Sequence, residues 1–139
     1  MLPINYVAVL VAAVIAFIIG FLMHGPVAGK LWMRLADVHP TGNEKFSDMI
    51  PQMIWNIIVN IVTAYALAAV IVLTTGSQYL TGSLLHDAIA VSLIIWAGFL
   101  LTSTSINVIW MKASFKLWLF EAFSSLIVML AMGATIALM

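Results

Sequence analysis

Four long apolar stretches set the pattern of this chain. Ile4 to Met23 is interrupted only by Asn5 and Tyr6, and no charged side chain precedes Lys30. Ile50 to Thr74, Ala88 to Met111 and Leu117 to Leu138 are free of charge apart from Glu121. An apolar helix of about 20 residues crosses the roughly 30 Å hydrocarbon core of a bilayer, so each stretch is long enough to span it. Strands do not fit, because the stretches lack an alternation of period two and are rich in Ala, Leu and Met. The expected class is all-α: a four-helix transmembrane bundle with a short cytoplasmic amphipathic interfacial helix, in one domain over 1–139. Its spans cover about 4–23, 50–74, 88–111 and 117–138, with cytoplasmic segments at about 24–49 and 112–116.

The connections are marked by their breakers. Pro3 fits the first turn of the first span, where its missing N–H costs little. His24-Gly25-Pro26 ends that span, since the residue before a proline is pushed out of the α region. Val27 to Val38 then places Leu31, Trp32 and Leu35 at helical spacing, with Lys30, Arg34 and Asp37 elsewhere on the wheel. That pattern predicts the short interfacial helix. Ser47 or Asp48 can cap the second span, with Pro51 in its first turn. Gly76-Ser77-Gln78 breaks the chain before the third span, where Asp87 suits the positive end of the helix dipole. Gly20-Phe21-Leu22 precedes Trp32-Met33-Arg34 by the same interval that separates Gly98-Phe99-Leu100 from Trp110-Met111-Lys112. This is compatible with two parallel repeats of helix, connection and helix.

Charge supplies the orientation. Lys30, Arg34 and Lys45 lie in one connection and Lys112 and Lys116 in another, while 75–86 has no Lys or Arg. In a four-span chain those two connections share a side, and the asymmetry places them in the cytoplasm. Both termini are therefore expected outside, and the first helix is expected to be retained, because it lacks the basic start of a signal peptide. Trp32, Trp55, Trp110 and Trp118 fall near the cytoplasmic boundary, with Tyr6 and Tyr79 near the other, as belt residues do. Lys30, Arg34, Lys112, Lys116 and Trp32 are the expected interfacial anchors.

Composition narrows the function. Of 139 residues, 65% are hydrophobic and 7% charged, so the chain cannot cover a water-facing surface. Its partner is the lipid bilayer. Formal net charge is zero, which gives no reason to expect nucleic acid. Cysteine is absent, which removes disulfides and thiolate metal sites. His39 and His86 fall on opposite sides of the membrane, so with His24 they form no single metal site. No nucleophile–base pair and no phosphate loop stands out, so neither an enzyme nor a cofactor is expected.

Two features remain. Ala8, Ala12, Ala16 and Gly20 form a ladder of small residues spaced by four, the pattern that lets helix backbones approach closely in lipid. It serves either packing within the chain or self-association. The second feature is a polar layer inside the cytoplasmic boundary: Glu121, Asn56, Asn60, Asn107 and His24. Glu121 is the one acid within a span, and an acid there must find a partner or water. Either it titrates in a proton- or cation-sensitive site held by Asn56 and Asn107, or it is clamped by Lys116, Lys112 or Arg34.

Gly29-Lys30-x-Trp32-Met33, Trp96-x-Gly98-Phe99 and Lys116-Leu117-x-Leu119-x-Glu121-Ala122, after a small-residue first span, resemble the bacterial integral-membrane proteins grouped as domain of unknown function 1761. The resemblance implies a four-helix membrane protein and supplies no activity. The family tends to end its first span with Trp-Tyr-x-Pro, where this chain has Met23-His24-Gly25-Pro26, and to carry Asp where this chain has Glu121. The leading expectation is a small homo-oligomeric channel or transporter-like protein of the bacterial inner membrane, a dimer first, for protons or small solutes of unknown identity. The rival is a non-transporting accessory or scaffold subunit with a structural polar layer.

Overall fold

A computed structural model describes residues 2–43, 45–75, 77 and 82–139, with Asp48 described only as part of its helix. The described residues are all-α. Helix α1 spans Tyr6–His24, the short α2 Gly29–Ala36, α3 Phe46–Thr74, α4 Leu84–Ile109 and α5 Phe115–Leu138. All but α2 are long and apolar enough to cross a membrane, and the chain is a multi-pass membrane protein. The expected break at Gly76 and Gln78, the belt role of Tyr79 and a cap from the Asp48 side chain lie outside the described residues.

Helix ends follow local chemistry more closely than the apolar pattern did. Asn5, not a turn at Pro3, starts α1: its Oδ1 accepts from the Val7 and Ala8 amides, both at 3.1 Å. That satisfies two of the donors a helix start leaves open. Ser83 caps α4, accepting from the His86 amide at 3.3 Å. Asp87 lies in that first turn, its side chain nearly buried, accepting from the Gly82 amide. One expectation is corrected. Helix α3 begins at Phe46, ahead of both proposed caps, so Pro51 lies inside the helix past its first turn. There it removes a hydrogen bond to the Ser47 carbonyl.

The core is narrow because its residues are small. Ala8, Ala12 and Ala16 of the ladder are buried within the chain, with Ala64 and Ala68 of α3 and Ala88 of α4. Leu67, Ile71, Met129 and Met132 fill the space between them. Helix α1 lies between α3 and α5, and α4 packs mainly on α5. Val7, Leu10, Val14, Ile18 and Phe21 form the opposite, exposed face of α1. A helix apolar on every side is suited to lipid outside and protein inside.

Helix α4 departs from regular geometry. Trp96–Leu101 is a π-helical segment within it. Just beyond, the Thr102 hydroxyl donates to the Gly98 carbonyl at 2.7 Å, and Thr104 and Ser105 donate to the Leu100 and Leu101 carbonyls at 2.8 and 2.7 Å. In lipid a loosened backbone carbonyl needs such a partner. The segment also separates the two proposed repeats. After Gly20 the chain leaves α1 and builds α2, whereas after Gly98 it continues in the same helix to Ile109.

Gly133 marks the closest approach of α4 and α5. A Cβ there would collide with Ser92 Oγ and lie 3.1 Å from the Ala88 carbonyl oxygen. Gly133→Ala should therefore lower the thermal midpoint in detergent, by the equivalent of about 1–3 kcal/mol. Adding Ser92→Ala should recover much of that loss. An unchanged midpoint for Gly133→Ala would refute the close approach.

Candidate functional site

The basic end of the bundle holds the intramembrane acid. Glu121 lies two turns into α5, and the last residue of α1, His24, faces it. His24 Nε2 is 3.1 Å from Glu121 Oε2 and 3.2 Å from Oε1. The other ring nitrogen, Nδ1, is 3.0 Å from the Gly20 carbonyl oxygen, one turn back on α1. A carbonyl only accepts, so Nδ1 carries a hydrogen. One further proton is then shared across the pair. It makes an imidazolium–carboxylate ion pair on Nε2, or a neutral imidazole and carboxylic acid on Glu121. Either way the pair is net neutral.

A third group completes the site. Trp32 of α2 donates its indole N–H to Glu121 Oε1 at 2.9 Å. Its ring also meets the His24 imidazole edge-on, with centroids 5.5 Å apart. Phe120 meets the same imidazole from α5 at 5.7 Å. Such edge-to-face contacts hold the ring plane. Trp32 arrives because the chain folds back sharply after α1. The Val27 amide bonds the Leu22 carbonyl and the Gly29 amide bonds the Gly25 carbonyl. A Cβ on Gly25 would sit 2.7 Å from the Phe21 oxygen, and one on Gly29 would sit 2.7 Å from the His24 oxygen. Only glycine allows this approach without displacing the backbone.

Beside the pair, a cleft of about 580 Å³ runs between α1, α2 and α3. Phe17, Gly20, Phe21 and His24 line it from α1, Trp32 from α2, and Met53 and Asn56 from α3. Glu121 is behind this wall, bonded to two of its members. Beyond the cleft the bundle closes into the alanine-rich core described above.

Several expectations change here. Of the polar layer, only His24 bonds Glu121. Asn56 lines the cleft, but its Oδ1 accepts from Asn60 on its own helix at 2.6 Å. Asn107 is exposed, and its backbone carbonyl accepts from the Ala113 amide. Lys116, Lys112 and Arg34 are exposed and do not clamp Glu121; short routes from α1 and α2 already fill the carboxylate. Lys30 is exposed too. Trp32, expected as an interfacial anchor, is also a hydrogen-bond donor within the site. Of the ladder, Gly20 lines the cleft rather than the core, with nothing within 4 Å of a would-be Cβ. The i, i+4, i+7 spacing of Phe17, Phe21 and His24 on α1 was the one available signal for the cleft wall.

Two further side chains of α5 matter. Ser125 accepts from the Trp96 indole at 3.0 Å, tying α4 to α5. Ser124, on the face of α5 shared with Glu121, is buried with no partner for its hydroxyl among the described residues. His24→Ala should lower the thermal midpoint by the equivalent of about 1 kcal/mol or more, since it strands the carboxylate. Ser124→Ala should leave the midpoint unchanged or raise it. A comparable loss from both would mean that the Ser124 hydroxyl is bonded.

With this geometry in place, comparison with known proteins adds one finding. Residues 7–137 match the family model described as "Protein of unknown function (DUF1761)". No curated protein and no solved structure matches the chain.

Proposed function

The chain belongs to the DUF1761 family, and we propose that this member is a transporter-like protein of the bacterial inner membrane that binds a proton or small solute at Glu121. It works without chemistry of its own, as a homo-oligomer, with a dimer the first expectation. Its basic end faces the cytoplasm and both termini face out, on the strength of the Lys and Arg distribution. One observation carries the reading: the intramembrane acid lies within hydrogen-bond distance of the His24 imidazole, beside a cleft. An ionisable group kept inside a membrane at a cost of about 2.5–3.5 kcal/mol is a functional candidate by default. The apolar core that closes the bundle beyond the cleft favours a path completed by a second copy or a rearrangement.

The same apolar core also supports a second reading, a non-transporting accessory subunit with Glu121 as a structural tie. The two differ in flux. Liposomes containing the protein and a pH dye should collapse an imposed pH gradient faster than empty ones, and Glu121→Gln should return the rate most of the way to background. Equal, background-level rates from folded wild type and variant would favour the accessory reading. Orientation has its own test. Asn43→Cys and Ala113→Cys should react with an impermeant thiol reagent only from the cytoplasmic side, and Ser83→Cys only from outside. Labelling of Asn43→Cys and Ser83→Cys from one side would overturn the topology.

A further inference from the structure

The walls of the cleft define a ligand chemistry. Phe17, Phe21, His24 and Trp32 line it with aromatic rings, Met53 with a thioether and Asn56 with an amide. None of the described residues lining it is a Lys, Arg, Asp or Glu. Glu121 lies directly behind His24 and Trp32 and is bonded to both. Aromatic faces backed by a carboxylate attract a cation that also carries apolar surface. The volume suits a small organic molecule, since pockets for such ligands run from about 300 to 1,000 Å³.

The proton count sharpens this. With its shared proton the His24–Glu121 pair is neutral, and a cation gains nothing from it beyond the ring faces. Without that proton the pair carries one negative charge. Resting on the reading of Glu121 as a proton and solute site, we infer that the cleft takes a lipophilic organic monocation in exchange for that one proton. The step balances: the cation enters, and the proton on Nε2 or the carboxyl group leaves to water at the basic end. His24 keeps its Nδ1 hydrogen on the Gly20 carbonyl. Glu121 loses its bond to His24, keeps that of the Trp32 indole, and its charge is matched by the ligand. No covalent bond forms or breaks apart from those of the proton.

Surrounding charges permit the exchange. Helix α2 contributes Lys30, Arg34 and Asp37, all exposed, and α5 contributes the exposed Lys116 before Glu121. Lys112, beyond the end of α4, is exposed as well. Among the described residues, α3 brings only uncharged side chains to the cleft. In the sequence, Lys30, Arg34 and Lys45 of the 24–49 segment are matched in number by Asp37, Glu44 and Asp48, a formal net charge of zero.

Tetraphenylphosphonium is a suitable probe. Its binding to the purified protein in detergent would be measured by calorimetry in two buffers of different ionisation enthalpy, between pH 6 and 8. Saturable binding should release up to one proton per cation, and affinity should rise with pH by up to about tenfold per unit. Glu121→Gln should bind weakly and without proton release. Phe21→Ala, which leaves the hydrogen-bonded pair intact, should weaken binding with the proton count unchanged. The proposal is overturned by absence of saturable binding, by binding without proton release, or by equal affinity for neutral triphenylphosphine oxide. The proton-flux assay separates the two readings. Glu121-dependent flux without cation binding sinks the exchange alone, whereas proton-linked binding without flux upholds the site and sinks transport.

Discussion

Helix α5 is where the polar bonds of the bundle converge. In lipid, apolar contact alone gives helices little reason to prefer one another over acyl chains, so close packing and interhelical hydrogen bonds set the arrangement. Among the described residues, α1 is tied to α5 at both ends, by Asn5 Nδ2 donating to the Met139 carbonyl at 3.0 Å and by His24 at Glu121. These ties fix the two helices as antiparallel neighbours. Helix α2 reaches α5 through Trp32, and α4 reaches it through Trp96 and through Thr104, which accepts from the Trp118 indole at 3.2 Å. The small residues between the ties let them form. Ala8, Ala12 and Ala16 on α1 and Gly133 on α5 remove the bulk that would hold the axes apart.

The candidate site is one of those ties, made accessible. At the opposite end the bond to α5 joins two exposed helix termini. At the basic end the tie involves an acid, an imidazole and an indole, and the α1–α2 turn opens a cleft next to them. The glycine at position 20 gives up side-chain volume there. Glu121 on α5 and the imidazole of His24 on α1 meet with two ring nitrogens to satisfy, and the Gly20 carbonyl takes the second.

Much of this was legible in the residues, and what was not has physical causes. Uncharged runs gave the spans to within a few residues, because the length of a membrane helix is set by the bilayer rather than by local propensity. Helix α2 was legible in its amphipathic spacing. Glu121 stood out because a lone acid in an apolar run has no cheap explanation. Its partners were harder to read. An indole near a membrane boundary is usually an anchor, and only the fold-back through Gly25 and Gly29 turns Trp32 toward α5. Asn56 looked like a partner for the acid, but side chains four apart on one helix satisfy each other first, and Asn60 donates to it instead. The π-helical segment left no periodic trace, since the stretch around it is apolar on every face. Trp55 and Trp110 are exposed and make no such bond among the described residues.

The distribution of ties also says which wall of the cleft can move. Helices α1, α2, α4 and α5 are linked by side-chain hydrogen bonds that would have to break in a low-dielectric setting. From Met53 onward, the described hydrogen bonds of α3 side chains stay within α3: Asn60 to Asn56, Thr63 to the Val59 carbonyl, Thr74 to the Val70 carbonyl. Its contact with α1 is apolar, with Tyr65 stacked on Tyr6 at 6.4 Å, and its contact with α4 is sparse enough to leave grooves along the seam. Acyl chains can replace apolar contacts at small cost, but they cannot replace a hydrogen bond to Glu121. The cleft lies between α3 and the tied unit, and from Met53 onward its α3 wall is held to α1 and α4 by apolar contact. Loosening that part of α3 leaves the hydrogen bonds of Glu121 in place, so it is the part of the wall whose contacts acyl chains replace at least cost.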